Sequence, residues 1–412
     1  MKYGLLGEKL GHSFSKEIHN ILGEYSYDLV EVEKDKLDEF ITRKNFSGLN
    51  VTIPYKERVI PYLDGIDEAA KAIGAVNTIV NRNGKLYGYN TDFYGMKMLF
   101  DHAKIDPKGK IVAILGSGGT SKTAMAVVKH LGAKEVIKVS RATGNGNINY
   151  DELYATSDNI DIIINTTPVG MFPCTDECAI DISRFQKLSG VIDAIYNPLR
   201  TKLIIEAEKM GIRAEGGLYM LVAQAVRASE IFTNIKYDEK TTEKIYRRIK
   251  REKENVVLIG MPASGKSTIG RILEKKLGKK VLDSDKIIEN NTKKSIPDIF
   301  REEGEGAFRD IESEVISNLS DQVGIIISTG GGSILRRENV NNLKKNGRIY
   351  FIDRPLSQLI PTKSRPLAST AEDIEKRFNE RYGIYSSSAD IRIDANGSAP
   401  DAADKIIKDI YS

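Results

Sequence analysis

The sequence predicts an α/β protein of more than one domain, with parallel sheets covered by helices. Short apolar, β-branched runs alternate with amphipathic helical stretches along the whole chain. A strand, a glycine turn and a helix follow one another twice, at KGKIVAILGSGGTSKTAMAVVKHLG and at NVVLIGMPASGKSTIGRILEKKLG. A chain of 412 residues also exceeds what one hydrophobic core ordinarily organises.

The first block, residues 1–105, holds the strand patterns YGLLG, DLVEVE, GLNVTI and VNTIV and the helix pattern SKEIHNILGEY. The second block, 106–235, opens on the first glycine turn and closes with GLYMLVAQAVRASEIF, a long helix after a Gly-Gly start. Residues 236–253 are heavily charged and are expected to form a closing helix and a linker. The third block, 254–412, restarts with a strand. The expected domains are therefore 1–105, rejoined by the helices of about 217–250, then 106–235, then 254–412. No internal repeat is visible. The two glycine turns differ in type, which implies two different nucleotides.

Composition narrows the function classes. No apolar run approaches the ~20 residues of a membrane span, and MKYGLLGEKLGHS has no signal-peptide core. A cytoplasmic protein without a membrane partner is expected. With 61 basic against 57 acidic residues the net charge is only +4, so nothing argues for nucleic-acid binding. The one basic concentration, KIYRRIKREK, reads as a solvated helix end and linker. Cys174 and Cys178 form neither a disulfide framework nor, without a neighbouring Cys/His cluster, a metal site. The oligomeric state is left open.

Gly260-Met-Pro-Ala-Ser-Gly265-Lys266-Ser267 fits G-x-x-x-x-G-K-[ST] between a strand and a helix. Backbone N–H groups of such a loop curl around phosphates, and the helix N-terminus adds partial positive charge. Gly260, Ala263, Ser264, Gly265 and Thr268 would line an ATP site. Lys266 would reach the outer phosphates and the Ser267 hydroxyl would ligate Mg²⁺. Asp283 and Asp285, two apart at the next strand end, are expected to face opposite ways if the strand stays extended. One would serve the metal and the other a substrate hydroxyl.

DSD at Asp283–Asp285, GE-x-x-FR-x-x-E at Gly304–Glu312, STGGGS at Ser328–Ser333, SRPL at Ser364–Leu367 and RYGIYSSSAD at Arg381–Asp390 resemble shikimate kinase in order and spacing. The resemblance implies that Asp283 lies near Mg²⁺ and that Asp285 holds and deprotonates the shikimate 3-hydroxyl. It implies that Arg309 and Arg381 pair with the substrate carboxylate, a planar match that lysine makes poorly. Gly330, Gly331 and Gly332 would approach the substrate ring. Arg365, on a lid, would stabilise charge on the transferred phosphoryl group. Two departures stand out: Ala263 replaces a frequent glycine, and the lid segment PTKSRPLAST is short.

Leu115-Gly116-Ser117-Gly118-Gly119-Thr120-Ser121 follows an apolar strand and resembles a Rossmann fingerprint, with Ser121 in place of the usual third Gly or Ala. Gly116, Ser117, Gly118, Gly119 and Thr120 would hold the cofactor pyrophosphate. The next strand ends in Ser140-Arg141 rather than in an acidic residue, which suits the 2′-phosphate of NADP(H). GHSFSKEIHN, GLNVTIPYKE, GAVNTIV, GYNTDFYG, INTTPVGM, VIDAIYNPLRTKLI and GGLYMLVAQA then resemble shikimate dehydrogenase in family order. That resemblance implies a coupled pair in which Lys56 donates and accepts the proton beside Asp92. It implies Ser13 and Ser15 on the substrate carboxylate, and Thr52, Asn77, Tyr196 and Gln224 completing the pocket with Asp92. Gly217 would lie against the nicotinamide. Ser13 also suits a helix cap. His12 and His19 titrate near neutrality, but the Lys–Asp pair already fills the catalytic role.

Together the two resemblances imply NADPH-dependent reduction of 3-dehydroshikimate to shikimate, followed by ATP-dependent phosphorylation of shikimate. An NAD-dependent quinate/shikimate enzyme fused to another polyol kinase is disfavoured by Arg141. A ligand-binding regulator without turnover is disfavoured by the presence of Lys56, Asp92, Lys266 and Asp285.

Overall fold

The computed structural model describes every residue except 1, 12, 24, 142, 143, 145 and 360–369. The chain forms two compact units, Met1–Ile249 and Lys250–Ser412.

The first unit contains two six-stranded sheets. One runs in the order Tyr27–Glu31, Tyr3–Gly7, Gly48–Val51, Thr78–Arg82, Lys85–Tyr89, Gly65–Ile66. It is mixed, where the sequence pattern led us to expect parallel strands. Thr78–Arg82 pairs antiparallel with both Gly48–Val51 and Lys85–Tyr89. For the second of these pairs the cause is local: Asn83 and Gly84 both take positive φ, 54° and 83°, between the register partners Arg82 and Lys85. Such a two-residue turn reverses the chain at once and needs no crossover helix.

The other sheet is wholly parallel, in the order Arg213–Glu215, Gly190–Asp193, Ile162–Asn165, Ile111–Leu115, Glu135–Val139, Asn147–Ile148. Its chain starts at Ile111–Leu115, builds outward to one edge, then returns to build the other. The order therefore reverses beside Ile111–Leu115, and a crevice opens there at the strand C-termini. Residues 116–119, the first glycine turn, leave the sheet at that point.

Helices Ser15–Leu22, Thr91–Ala103, Gly119–His130, Leu218–Thr233 and Thr241–Lys253 contribute to one apolar core with the parallel strands. In Thr241–Lys253, Ile245, Tyr246 and Ile249 recur at helical spacing and are buried, while the basic residues occupy the other face. The charged stretch is thus a packed amphipathic helix beginning at Thr241, and Glu254 alone separates it from the strand Asn255–Ile259.

The second unit is a five-stranded parallel sheet ordered Val281–Asp283, Ile326–Ser328, Asn255–Ile259, Gly347–Asp353, Ile391–Asp394. Its first strand lies in the middle. Val257 and Ile259 point into one apolar layer, and Val256 and Leu258 into the other. This period-two alternation, apolar on both faces, marks a strand covered by helices on each side.

Candidate active sites

In the first unit, Asn90 caps the helix Thr91–Ala103 by accepting from Phe93 N, and its amide also donates to Ala75 O at 2.9 Å. This fixes Asp92 in the first helical turn. Lys56 follows the strand Gly48–Val51, and its Nζ meets Asp92 Oδ2 at 2.6 Å with both side chains largely shielded from water. Behind the pair, Asn77 Oδ1 accepts from Thr91 N at 2.7 Å while Asn77 Nδ2 donates to Thr91 Oγ1 at 3.0 Å. Thr91 Oγ1 lies 3.4 Å from Gln224 Oε1. Asn77, Thr91 and Gln224 are all buried, so the amides are held in one orientation by one another. Thr52 starts the turn after the strand and packs its methyl over Gly7.

A second group forms at the start of Ser15–Leu22. Phe14 occupies the helix cap without a side-chain bond, and Ser13 Oγ instead accepts from Ser15 N at 3.2 Å. Ser13 also bonds Tyr196, whose hydroxyl is pushed above its ordinary pKa by burial. The expectation that Ser13 caps this helix is therefore met only by a bond to the adjacent turn.

The first glycine turn faces Lys56. A Cβ at Gly119 would stand 3.9 Å from Lys56 Cδ, and Lys122 Nζ reaches Glu57 Oε1 at 2.7 Å. Gly116 has φ +114°, and a side chain there would meet Thr166 Oγ1 at 2.7 Å. Ser121 fills the third fingerprint position because its buried hydroxyl bonds Gly116 O at 2.8 Å, tying the turn to its helix. Gly118 caps the helix and a Cβ there would meet no atom within 4 Å, so a pyrophosphate has room at the helix N-terminus. Gly217 is packed against the backbone of Ala194 and Ile195, which leaves no space for a side chain. Arg141 is exposed just beyond the strand Glu135–Val139.

His19 is not at the site. It is wholly buried, stacks on Tyr27 at 3.9 Å, bonds Tyr25 Oη through Nδ1 at 2.7 Å and leaves Nε2 unpartnered. Burial pushes its pKa down to about 3. His12 lies outside the described residues.

In the second unit, Gly260, Ala263 and Gly265 take φ of +148°, +67° and +93°. Alternating left- and right-handed residues form a concave nest of N–H groups, and the positive φ of Ala263 explains the family's use of glycine there. The Ser264 hydroxyl is buried without a partner. Lys266 Nζ donates to Gly260 O and Met261 O at 2.8 and 3.0 Å. Loop, orphaned hydroxyl and lysine together fit the phosphates of ATP. Ser267 Oγ donates to Asp283 Oδ2 at 3.0 Å, bringing together two hard oxygen donors suited to Mg²⁺.

The expected separation of Asp283 and Asp285 on opposite faces of an extended strand is corrected. Residues two apart on a strand share a face, and the strand here ends at Asp283, which caps the helix Ser284–Thr292. The turn into the helix separates the two carboxylates. Asp283 faces Ser267, whereas Asp285 faces Gly330, where a Cβ would stand 2.5 Å from Asp285 Oδ1.

Arg309 is buried and clamped by Glu312 at 2.6 Å and Glu305 at 3.0 Å, with Gly332 against its guanidinium. Glu312 also accepts from Ser333 Oγ at 2.7 Å. Arg381 Nη1 donates to Gly331 O at 3.1 Å, as does the Tyr385 hydroxyl. Gly331 packs on Pro262 of the phosphate loop. Asp285, Arg309 and Arg381 thus surround one glycine loop beside the phosphate loop. Arg365 lies outside the described residues.

Comparison with known proteins decides the family. A Clostridium perfringens shikimate dehydrogenase (NADP(+)) is 41% identical over 266 residues, 60% of this chain and 98% of that protein. The chain belongs to the shikimate dehydrogenase family. The shikimate dehydrogenase substrate-binding domain model matches residues 5–79, and the shikimate kinase model matches 262–411. Both families are present in one chain. A shikimate dehydrogenase structure from Peptoclostridium difficile is 39% identical with a TM-score of 0.56, covering 60% of this chain and 98% of its own. A chorismate mutase/shikimate 5-dehydrogenase fusion from Clostridium acetobutylicum is 37% identical with a TM-score of 0.57, covering 60% of this chain and 96% of its own.

Several residues of this dehydrogenase–kinase chain escaped the sequence reading. Thr91 links Asn77 to Gln224 and sits inside the GYNTDFYG motif, so its signal was present. Glu312 was visible only as part of the Gly304–Glu312 string; its burial between Arg309 and Ser333 gives it a role. Arg354 follows the strand Gly347–Asp353 and donates to Ser264 O at 3.2 Å and to Gln358 at 3.0 Å, beside the phosphate loop. Nothing in its local sequence announced that.

Proposed function

We propose that the Lys56–Asp92 pair and Asp285 drive two consecutive reactions of one bifunctional enzyme. It reduces 3-dehydroshikimate to shikimate with NADPH and phosphorylates shikimate to shikimate 3-phosphate with ATP, two steps of the shikimate pathway to the aromatic amino acids. The 2.6 Å contact between Lys56 and Asp92, facing the glycine turn, carries the first reading.

When bound, NADPH supplies the hydride, ATP supplies the phosphoryl group and Mg²⁺ offsets its charge. In the reduction, Lys56 delivers a proton to the carbonyl oxygen of 3-dehydroshikimate as that oxygen gains negative charge. Asp92 holds the amine in place at 2.6 Å. Ser13 and Ser15 take the substrate carboxylate, and Thr52, Asn77, Tyr196 and Gln224 hold the ring hydroxyls. Arg141 reads the 2′-phosphate.

In the phosphorylation, Asp285 takes the proton of the shikimate 3-hydroxyl as that oxygen bonds to the γ-phosphorus and ADP leaves. Ser267 and Asp283 would hold the metal, Lys266 the outer phosphates, and Arg309 with Arg381 the carboxylate. Arg365 completes the phosphoryl site. Among the described residues no helix is long and apolar enough to cross a membrane; a cytoplasmic setting, where both nucleotides are supplied, is our reading. Separate assays of the halves test the proposal: NADPH oxidation with 3-dehydroshikimate, and ADP release with shikimate. Binding of either substrate without turnover would overturn it.

A further inference from the structure

Arg309 and Arg381 meet the glycine loop of the kinase unit, Arg377 lies near Arg381, and their charges are unequally neutralised. Arg309 is clamped by two carboxylates, Glu305 and Glu312. Arg381 has a backbone carbonyl, Gly331 O, as its hydrogen-bond acceptor. Arg377 precedes Arg381 by four residues on the helix Ala371–Ser388, so the two share one face. Its Nε is buried and has no hydrogen-bond partner. Among the described residues, neither Arg377 nor Arg381 has a carboxylate within ion-pairing distance. Burial chiefly, with Arg377 and Arg309 adding repulsion, lowers the Arg381 guanidinium from its ordinary pKa.

This stripe meets the phosphate loop. Arg381 and Tyr385 both donate to Gly331 O, and Gly331 packs against Pro262, where a Cβ would stand 2.9 Å from Pro262 Cδ. Arg377 extends the stripe by one more turn. Shikimate brings a single negative charge, its carboxylate, which Arg381 and Arg309 absorb in the reading above. Arg377 beside it, half-buried with its Nε shielded from water and without a partner, adds a further positive charge that Arg381 repels and that a second anion would match.

We propose that Arg377 binds the phosphoryl group, during transfer and then as the phosphate ester of the product. The proposal rests on the shikimate kinase reading. In the step it serves, the bond from the 3-hydroxyl oxygen to the γ-phosphorus forms. The bond from that phosphorus to the ADP oxygen breaks, and the hydroxyl proton passes to Asp285. Arg377 donates N–H groups to the phosphoryl oxygens throughout.

The test uses the full chain with Arg377→Met and Arg377→Lys, titrated calorimetrically with shikimate and, separately, with shikimate 3-phosphate. A charged hydrogen bond to phosphate implies a loss of about tenfold or more in shikimate 3-phosphate affinity for Arg377→Met. Shikimate affinity should stay within about twofold, and Arg377→Lys should recover part of the loss. The kinase kcat should fall while KM for shikimate holds, and dehydrogenase activity should be unchanged. Equal losses for both ligands would assign Arg377 to the carboxylate and overturn the proposal, as would no loss for either. Should Arg377→Met also lose ATP binding, the Lys variant decides between the same outcomes. An unsubstituted chain unable to phosphorylate shikimate would instead overturn the underlying kinase reading.

Discussion

Gly330→Ala places a methyl group where the kinase has no room for one. The added Cβ would stand 2.5 Å from Asp285 Oδ1 and 3.0 Å from Glu312 Oε1. Non-bonded heavy atoms settle near about 3.5 Å, so Asp285 and Gly330 must part by about 1 Å. The loop cannot easily absorb this alone, because Gly330 N donates to Ser284 Oγ at 3.0 Å and Gly330 O accepts from Ser333 N at 3.3 Å. A 1 Å misplacement of a catalytic group costs about 10² in rate, equivalent to about 2.7 kcal/mol in the barrier. We therefore expect kcat for ADP release with shikimate to fall about 100-fold. NADPH oxidation by the same preparation serves as an internal control and should be unchanged, as should ATP affinity. A kinase kcat within threefold of the parent would refute the assignment of Asp285 as the positioned carboxylate.

Lys56→Ala should lower dehydrogenase kcat by about 10² to 10⁴, the usual contribution of a general acid, with phosphorylation unaffected; a loss below tenfold would remove Lys56 from the mechanism. Arg141→Asp sets a carboxylate where the 2′-phosphate is expected and should cut kcat/KM for NADPH at least about tenfold relative to NADH; an unchanged ratio would show that another group reads the phosphate. His19 makes stability depend on pH. The unfolded chain binds a proton at this imidazole below about 6.5, whereas the buried ring resists protonation until about 3. The stabilisation is thus complete above about 6.5 and lost as pH falls toward 3, at about 1.4 kcal/mol per unit, or about 2 kcal/mol between pH 7 and 5. Urea unfolding at these two pH values should show that His19→Phe, which keeps a ring over Tyr27, flattens this slope by about that amount; an unaltered slope would contradict the buried neutral imidazole.

The glycine loops were legible because their requirements are local. Gly116, Gly260 and Gly265 adopt backbone angles that few other residues take, and each lies between a strand and a helix whose apolar patterns are complete in themselves. Asp283 and Asp285 were recognised, but what separates them depends on where the strand ends and the cap begins, which the pattern DSD leaves open. The Thr91–Gln224 contact joins residues 133 apart, and only packing of their two helices brings them together. A closing helix was expected within the charged stretch 236–253, and Ile245, Tyr246 and Ile249 carry the period of the helix Thr241–Lys253. Arg377 illustrates the limit: a single arginine on a charged helix carries no local mark, and the shielding of its Nε beside Arg381 exists only in the folded chain.

The most direct test of the central claim is one incubation of the purified chain with 3-dehydroshikimate, NADPH, ATP and Mg²⁺, with products identified by mass. Two consecutive activities predict shikimate 3-phosphate when everything is present, shikimate alone when ATP is withheld, and neither when NADPH is withheld. Accumulation of shikimate without its phosphate in the complete mixture, or no conversion at all, would contradict the account.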